Sequence, residues 1–350
     1  MATKLRAHAS SNAVSGAKGG AAAAPTFEEI FVRNDAVSLC LLLNRRARTM
    51  RVIDFRAGAS PAKKLFVQSI ARRERVDKVV VLVERDECST WARLGFAREG
   101  NIPGFYKRSD AFIMGSIILA PTAATPTPQL ASTRASSRLA ESGVFSVSRH
   151  TLYTNDDEPD LEDEAPPPAQ SALAEKTVTH ARKIAKDLAT QTTMAVKLTS
   201  LSPTDVQKRV AQATKEGRAL TGFESFGRDV TRDDVLVTAK GMPELVIGAE
   251  IQRCYGNAFL EVLTSPRDDR ERGFLLAALR ATCERLVADD IVCAFGLCPA
   301  DDVKMSTAFA ANGFRRTGLL RSHLRLLARG GERVDAILWS KKLANPQDEE

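Results

Sequence analysis

Hydrophobic and polar positions alternate along this chain with strand-like and helix-like periods, and they divide it into two ordered segments. The first segment runs from about Phe27 to Leu119. Its run Lys78–Val83 has five successive apolar residues after the lysine, and four of them are valines, which is typical of a buried central strand. Around it the pattern predicts strands at Ala36–Leu43, Thr49–Phe55, Phe96–Gly100 and Ser109–Ile118, and helices at Pro61–Arg75 and Glu87–Leu94.

The second ordered segment begins with an amphipathic helix over Leu173–Leu188. Strands are predicted at Thr193–Leu198, Asp234–Lys240, Glu244–Cys254, Ala258–Thr264, Ile291–Leu297, Arg315–Leu327 and Val334–Lys341. Helices are predicted after Ser202, after the loop Pro266–Gly273, and over Val303–Ala311. From that loop onward, the order of elements repeats the order of the first segment.

A short corner motif occurs at matching places in both segments. The first copy is Trp91-Ala92-Arg93-Leu94-Gly95-Phe96, and the second is Phe309-Ala310-Ala311-Asn312-Gly313-Phe314. In each copy a helix is predicted to end at a glycine that can take a positive φ, after which a Phe anchors the return into a sheet. The repeat predicts an α/β fold with a mixed α+β central sheet, built from two related units in tandem.

Composition divides the chain into four parts. Residues 1–25 contain no acidic side chain and are rich in Ala, Ser and Gly, as transit peptides are, but they form no basic amphipathic helix, so we expect a disordered tail. Residues 26–120 and 171–345 are the two predicted domains. Residues 121–170 carry Thr, Pro and Ser and then an acidic run, which predicts a disordered linker.

Charge and cysteine usage narrow the class of protein. The formal net charge is +7, but Lys and Arg are spread along the chain, so a nucleotide-like cofactor explains the excess as well as nucleic acid does. The 6 cysteines form no CxxC pair and no metal-ligand spacing with His, which predicts a cytoplasmic setting and no metal. No apolar run approaches the roughly 20 residues of a membrane helix. We therefore expect a soluble protein without a membrane partner.

The loop Pro266–Gly273 has the make-up of a phosphate-binding segment. It joins a predicted strand to a predicted helix and contains Arg270, Arg272 and Gly273. The first N–H groups of a helix are unpaired, the helix dipole is positive there, and a glycine lets an anion approach the backbone. Taken alone, the same residues also fit an ordinary turn.

With its surroundings, the second segment resembles the GNAT superfamily of acetyl-CoA-dependent N-acyltransferases over about Thr193 to Leu343. Within the superfamily it is most similar to beta-lysine N-acetyltransferases, through the Phe-x-x-x-Gly-Phe corner, the Arg-Thr-Gly after it, and the closing Trp339-Ser340-Lys341-Lys342-Leu343. The first segment resembles the back half of the same fold over Trp91–Ile118. The chain is therefore interpreted as tandem GNAT-like acyltransferase domains, the first of them truncated or degenerate.

The resemblance implies that acetyl-CoA binds as co-substrate. Its pyrophosphate would meet the N–H groups of five successive residues, Arg270, Glu271, Arg272, Gly273 and Phe274. Its pantetheine arm would run beside Val262, Leu263 and Thr264. The family's loop reads Gln/Arg-x-x-Gly-x-Gly/Ala, whereas Asp268 stands here at the Gln/Arg position and Glu271 at the first Gly. An acidic side chain at that place opposes a diphosphate unless it turns away.

The resemblance also implies two proton transfers, one from the amine to a Glu near the cofactor strand and one from a late-helix Tyr to the departing thiolate. Glu261 is the acidic residue on the matching strand and is the candidate base, although its place also fits a surface strand residue. Glu250 and His323 are alternatives. Phe309 occupies the Tyr position, so that acid is missing. Cys298 has no evident base and is expected to be a buried thiol.

Two functions are compatible with these residues. The first is N-acyltransfer from acetyl-CoA directly to a primary amine of a small molecule, beta-lysine or a similar amino acid. The alternative is a catalytically inactive tandem that acts as a ligand sensor or protein-interaction module, which the departures at Asp268, Glu271 and Phe309 favour. A nucleic-acid partner for the basic turn Arg45–Arg51 rests on charge alone, so we expect a solvated hairpin and no nucleic acid.

Overall fold

Both halves of the chain contribute strands to one sheet. The computed structural model describes residues 27–33, 37–54, 58–118, 169–188, 194–221 and 230–344. The predicted tail and nearly all of the predicted linker lie outside these residues. We refer to the described residues within 27–118 as the first lobe and to those within 169–344 as the second lobe, and all counts of elements refer to these residues. The described residues of both lobes belong to a single compact unit.

The first lobe contains six strands and two α-helices. In chain order they are β1 (Phe27–Arg33), β2 (Ser38–Asn44), β3 (Thr49–Asp54), α1 (Pro61–Arg73), β4 (Lys78–Val83), α2 (Cys88–Arg93), β5 (Ala97–Ile102) and β6 (Ala111–Ile117). The elements predicted for this segment are confirmed, and β1 is an additional edge strand paired with β2. The start of α1 is set locally, because the Ser60 hydroxyl accepts the N–H of Lys63 at 3.1 Å.

The second lobe contains seven strands and four helices. They are α3 (Ala169–Leu188), β7 (Lys197–Ser200), α4 (Pro203–Lys215), β8 (Thr231–Thr238), β9 (Leu245–Gln252), β10 (Asn257–Val262), α5 (Asp269–Ala288), β11 (Cys293–Pro299), α6 (Val303–Ala311), β12 (Arg315–Leu326) and β13 (Glu332–Lys342). The predicted order is confirmed, but α5 begins at Asp269 instead of after Gly273. None of the described helices is long and apolar enough to cross a membrane.

The strands form a 13-stranded mixed sheet in the order β1-β2-β3-β4-β6-β5-β12-β13-β11-β10-β9-β8-β7. Each lobe has one parallel pair, β3 with β4 and β10 with β11, flanked by antiparallel neighbours. The strand order from β1 to β5 is repeated in reverse from β12 to β8. The predicted mixed α/β fold is confirmed, and the matching strand orders agree with the predicted duplication.

The repeated corner has the same packing in both lobes. Gly95 has a φ of 87° and Gly313 a φ of 80°, as a turn from helix to strand requires. Trp91 then meets Phe96 edge to face at 4.9 Å between ring centroids, and Phe309 meets Phe314 in the same way at 5.1 Å. The two corners therefore anchor β5 and β12 in equivalent positions.

These two equivalent strands join the lobes. β5 and β12 meet at the pair Gly100 and Gly318, and each glycine directly follows an irregularity in its own hairpin. A Cβ built on Gly318 would lie 2.6 Å from the Cα of Gly100 and 2.6 Å from the carbonyl oxygen of Glu99. The junction therefore depends on two residues without side chains.

Helices α1 and α5 cover one face of the sheet, and the other face carries a shared core and, in the second lobe, helix α4 packed on Val246. In the first lobe α1 covers a core that includes Met50 and Val79, and in the second lobe α5 covers a core that includes Leu260. On the opposite face, Ile102 and Phe105 of the first lobe pack with side chains of the second lobe, namely Phe259, Phe295, Leu320 and Leu338. The sequence left contact between the lobes open, and the structure shows an apolar core common to both.

Candidate functional site

The parallel strands β10 and β11 separate inside the second lobe. They pair from Asn257 with Cys293 as far as Leu260 with Gly296, and the parallel pairing ends there. Beyond that point β10 continues beside β9, while β11 continues beside β13 as far as Pro299. The result is a split between two adjacent strands, which starts after Leu260 and Gly296 and runs towards the starts of α5 and α6.

The split opens into a cavity lined by both lobes. From the second lobe the lining includes Leu260, Glu261 and Val262 of β10, Leu297 and Pro299 of β11, and His323 of β12. From the first lobe it includes Leu42, Asn44, Thr49, Arg51 and Val80. These first-lobe residues lie on the face of β2, β3 and β4 that faces away from α1. The cavity is thus apolar near the split and polar on the first-lobe side.

The N-terminus of α5 lies beside the end of β10, and acidic side chains already occupy it. Asp268 caps the helix and accepts the N–H of Glu271 at 2.8 Å. The carboxylate of Glu271 accepts the N–H of Arg267 at 2.9 Å and its guanidinium at 2.7 Å. Glu271 also lies 3.4 Å from the guanidinium of Arg218. The carboxylate of Glu271 therefore sits where the loop could otherwise hold an external anion.

The protonation of Glu271 follows from these contacts. Burial by itself raises the pKa of this carboxyl, but the hydrogen bonds from Arg267 and the charge of Arg218 outweigh burial and lower the pKa. The carboxylate of Glu271 points towards the two arginines, so the positive charges of Arg267 and Arg218 balance the negative charge of this loop residue.

The earlier start of α5 changes which backbone groups are available in the predicted cofactor loop. The N–H of Glu271 is bonded to Asp268, and the N–H of Arg272 donates to the Asp268 carbonyl at 3.0 Å. Two of the N–H groups predicted to meet a diphosphate are thus already engaged. The side chain of Phe274 is buried in the core, whereas a Cβ on Gly273 would meet nothing within 4 Å.

The arginines of this loop differ in their surroundings. Arg270 is exposed, and its guanidinium lies close to Gly241 in the β8–β9 turn. Arg272 forms an ion pair with Asp269 at 2.7 Å, and its Nε is buried without a hydrogen bond from the described residues. Arg270 therefore is the arginine of the predicted pair that remains accessible to an anion.

The residues predicted to run beside the pantetheine arm lie at the end of β10. Val262 is the last residue of the strand and lines the cavity. The N–H of Leu263 donates to Val246 at 3.0 Å, and its carbonyl accepts from Leu220 at 2.9 Å, so Leu263 is engaged on the β9 side. Thr264 forms an isolated bridge with Ala219. Of the three residues, the structure therefore places Val262 beside the cavity, whereas the backbone of Leu263 faces β9.

A side-chain hydrogen bond connects the two strands beyond the split. The hydroxyl of Ser265, after β10, donates to the carboxylate of Asp302, after β11. The same carboxylate caps α6 by accepting the N–H of Met305 at 2.9 Å. This contact closes the far end of the split, so a ligand that passes between the strand ends must displace it.

Glu261 is buried and ion-paired, so the reading as a surface strand residue is wrong. Its carboxylate lies 2.5 Å from the guanidinium of Arg232 and accepts a hydrogen bond from the Thr221 hydroxyl at 2.9 Å. Arg232 also pairs with Asp234 at 3.0 Å and lies 3.9 Å from Glu250. No local pattern signals this burial, because the residues that cover the Glu261 side of β10 are distant in the chain.

Phe309 and Cys298 belong to the core of the second lobe. Phe309 is fully buried and stacks on Trp339 with 6.4 Å between the ring centroids. The expectation of a buried thiol is confirmed, since Cys298 accepts the Trp339 indole N–H at 3.1 Å and burial raises its pKa to about 12. In the part of the chain that the structure describes, no three His, Cys, Asp or Glu side chains are grouped to hold a metal ion.

The first lobe has a split between β3 and β4 that matches the split between β10 and β11. The pairing of β3 with β4 ends at Val52 and Val81, whereas the pairing of β10 with β11 ends at Leu260 and Gly296. The third residue of α1 is Lys63, and its buried ammonium contacts Asp54 at 2.5 Å and the carbonyl of Gly58 at 2.7 Å. An internal ion pair therefore fills the position that would receive an anion.

The sequence pattern gives little indication that two polar residues, His323 and Arg51, line the cavity. His323 is buried, and burial with the nearby charges of Lys78 and Arg333 lowers its pKa to about 3, so the imidazole is neutral at pH 7. Arg51 belongs to a basic turn in which two other arginines, Arg45 and Arg48, pair with acidic side chains on the surface. The burial of Met50 and Val52 is the signal that Arg51 faces the other way.

Comparisons with known proteins gave matches only among solved structures, because neither the family models nor the curated proteins yielded a match. A spermidine N-acetyltransferase from Vibrio cholerae in complex with CoA and spermine aligns at 12% identity and a TM-score of 0.35, covering 44% of this chain and 98% of that chain. The ribosomal-protein-S18-alanine N-acetyltransferase from Escherichia coli aligns at 14% identity and a TM-score of 0.34, covering 45% of this chain and 99% of that chain.

Proposed function

We propose that this protein is an acetyl-CoA-dependent N-acyltransferase that works at the split between β10 and β11. The split itself carries the proposal. Strand backbone that loses its neighbour inside a protein needs another hydrogen-bonding partner. An extended arm with amide groups, such as pantetheine, offers both donors and acceptors at strand-like spacing. The resemblance of the second segment to GNAT enzymes supports the same assignment.

Acetyl-CoA would supply the acetyl thioester, and the residues of this chain would orient it and exclude water. Val262 and Thr264 would present backbone groups along the split. Leu297 and Met305 line the cavity with apolar surface beside it. Arg270 would face the diphosphate at the start of α5, because an exposed guanidinium attracts phosphate.

Glu261 is the proposed acceptor of the proton that leaves the amine. Its carboxylate lines the cavity at the start of the split and lies 2.5 Å from the guanidinium of Arg232. Proton transfer to Glu261 therefore has to loosen the contact with Arg232. Phe309 has no proton to return to the thiolate, which assigns that step to water.

The proposed acceptor is a primary amine of a small molecule, beta-lysine or a similar amino acid. The sequence resemblance in the second corner and in the closing Trp339–Leu343 segment supports this choice. The first lobe, proposed to be the degenerate GNAT-like domain, would then serve as the second wall of the acceptor cavity, since its β2 and β3 side chains line that cavity.

Isothermal titration of the full chain with acetyl-CoA tests the proposal. We expect binding in the micromolar to millimolar range that is usual for enzyme substrates. Arg270→Gln should weaken it without lowering thermal stability, because the side chain is exposed. Arg93→Gln, an exposed arginine on α2 of the first lobe, is the matched control. Absence of binding at millimolar acetyl-CoA would overturn the assignment.

A second candidate is a catalytically inactive tandem that senses a ligand or binds another protein. Two contacts favour it, the occupation of the loop by Glu271 and the hydrogen bond of Ser265 to Asp302 across the split. An acyl-transfer assay over a panel of primary amines separates the candidates. Release of free coenzyme A thiol supports the enzyme, whereas binding of acetyl-CoA without release supports the sensor.

A further inference from the structure

We propose that His323 anchors the acyl acceptor in the cavity shared by the two lobes, where its imidazole accepts a hydrogen bond from the uncharged form of the acceptor's amine. The proposal rests on the proposed function for the reaction that follows. An amine attacks a thioester through its free lone pair, so a site that holds the uncharged amine presents the reactive form. The proton that the nitrogen loses on acylation still passes to Glu261.

A strained bulge in β12 directs His323 into the cavity. The pairing of β12 with β13 is interrupted at this point, and Ser322 has a φ of 46°, which is costly for a residue other than glycine. The carboxylate of Asp335 accepts the N–H of Ser322 at 2.8 Å, and Arg333 donates to the Ser322 carbonyl at 2.7 Å. A bulge re-aims the side chains beside it. The strain at Ser322 therefore accompanies the placement of the imidazole in the cavity wall.

The imidazole of His323 forms no hydrogen bond with the residues that the structure describes. Its Nδ1 is enclosed by protein atoms and lacks a partner. Its Nε2 also has no hydrogen bond to these residues but is not enclosed, so it is the nitrogen that a molecule in the cavity can reach. Buried polar groups in native proteins are almost always hydrogen-bonded. A side chain held in place without a partner therefore points to a ligand that supplies one.

The cavity has room for such a ligand. Its volume is about 80 Å³, several times the roughly 10–15 Å³ that one water molecule requires. Apolar side chains such as Leu42, Leu297 and Leu324 form much of its wall. A wall of this kind penalises an unpaired charge but accepts a polar group that finds one hydrogen bond. The cavity therefore suits an amine on a short carbon chain, in its uncharged form.

The cavity wall offers little to an ammonium group. Glu261 is the only acidic residue among the described residues of the wall. Its carboxylate already lies 2.5 Å from the Arg232 guanidinium and accepts the Thr221 hydroxyl at 2.9 Å. The wall also contains Arg51 and Arg325, whose positive charges repel a cation. An ammonium group would therefore enter the cavity without a free carboxylate to balance its charge.

The charged groups behind His323 act in the same direction. Lys78 of β4 and Arg333 of β13 oppose a positive charge on the imidazole, and together with burial they lower its pKa to about 3. Lys78 is paired with Glu99, and Arg333 with Asp77, so both acidic partners are engaged. The same surroundings oppose an ammonium beside the ring. A neutral imidazole, in contrast, remains a hydrogen-bond acceptor for an uncharged amine.

The test compares two probes of equal length, pentan-1-ol and pentylamine, on the full chain without acetyl-CoA. The alcohol is uncharged, whereas pentylamine resembles a lysine side chain, whose pKa of about 10.4 leaves it almost wholly protonated at pH 7. An NMR titration followed through the imidazole signals should show the alcohol binding at least about tenfold more tightly at pH 7. Between pH 7 and pH 9 the affinity for pentylamine should rise about tenfold per pH unit, while the affinity for the alcohol stays constant.

Matched variants connect the binding to the imidazole. His323→Leu removes the hydrogen bond, whereas His323→Gln keeps an amide that can accept one. We expect the affinity for the alcohol to fall about fivefold in His323→Leu and to stay within about twofold in His323→Gln. His180→Gln, at an exposed histidine of α3, is the control and should change neither affinity. If the variants at His323 do not fold, as their melting curves will show, the comparison of the two probes on the natural protein decides.

Several outcomes would overturn the inference. They are tighter binding of pentylamine than of pentan-1-ol at pH 7, an amine affinity that does not change with pH, an alcohol affinity that survives His323→Leu, and absence of binding by both probes at pH 9. Failure of the proposed function gives a different result, because acetyl-CoA would then not bind while the two probes would keep the predicted order.

Discussion

Because the backbones of Gly100 and Gly318 are in close contact at the junction of the lobes, we expect the stability of the protein to be sensitive to one added methyl group there. A Cβ on Gly318 would lie 2.6 Å from the Glu99 carbonyl oxygen and from the Gly100 Cα, whereas ordinary contacts begin at 3.4 Å. The added Cβ would be about 0.8 Å too close to both atoms, so the β5 backbone would have to move by that distance. Both clashing atoms are backbone atoms, so no side chain can rotate away.

The expected cost of Gly318→Ala follows from this displacement. Overpacking of a tight contact costs about 1–3 kcal/mol, and replacing Gly by Ala returns about 0.4–1 kcal/mol through the unfolded chain. We therefore expect a net loss of about 1 kcal/mol in the free energy of unfolding. Gly100→Ala should cost less, because its Cβ would lie 2.9 Å from the Gly318 Cα.

Gly273→Ala is the matched control for these variants. It lies inside α5, and its Cβ would meet nothing within 4 Å, so we expect a gain of about 0.5–1 kcal/mol from helix propensity. Urea denaturation followed by circular dichroism measures all three variants. The reasoning is refuted if Gly318→Ala is as stable as the natural protein, or if Gly100→Ala is the more damaging change.

Three further predictions concern individual side chains. Glu271→Gln removes a negative charge that competes with a diphosphate for the loop, so titration should show acetyl-CoA affinity rising about fivefold. An unchanged affinity would show that Glu271 does not compete with the diphosphate. His323 has a folded pKa of about 3 against 6.5 when unfolded, so the unfolded chain takes up the proton first. Stability should fall by up to about 1.4 kcal/mol per pH unit from pH 6.5 downward, and His323→Gln should flatten that profile in denaturant titrations, whereas an unaltered slope would contradict it. Cys254 is the exposed one of the six cysteines, so a thiol reagent should modify about one cysteine per native chain, and modification of Cys298 would contradict its burial.

Local signals in the sequence were sufficient for most elements. The apolar run Lys78–Val83 is a strand with the predicted bounds, and Ser60 with Pro61 begins α1 as expected. The start of α5 was placed too late because the segment before Gly273 is rich in charge and reads as a loop. Asp268 with Glu271 three residues later is an N-terminal helix signal that locates the true start.

The site was less predictable than the fold because it depends on contacts between distant segments. The split needs two strands that diverge, and no local pattern encodes the point where pairing stops. The pattern along β10 also fits Glu261 as a surface residue, because only the packing of the sheet shows that both faces of β10 are covered. Arg51 belongs to a basic turn in the sequence, and it lines the cavity because the two lobes pack against each other.

A crystal structure of the full chain with coenzyme A tests the central claim most directly. The account predicts that the pantetheine arm lies in the split, beside Val262 and Thr264, with the diphosphate near Arg270 at the start of α5. It also predicts that the hydrogen bond between Ser265 and Asp302 is broken in the complex. Coenzyme A bound away from β10 and β11, or a split that stays closed in the presence of saturating coenzyme A, would contradict the account.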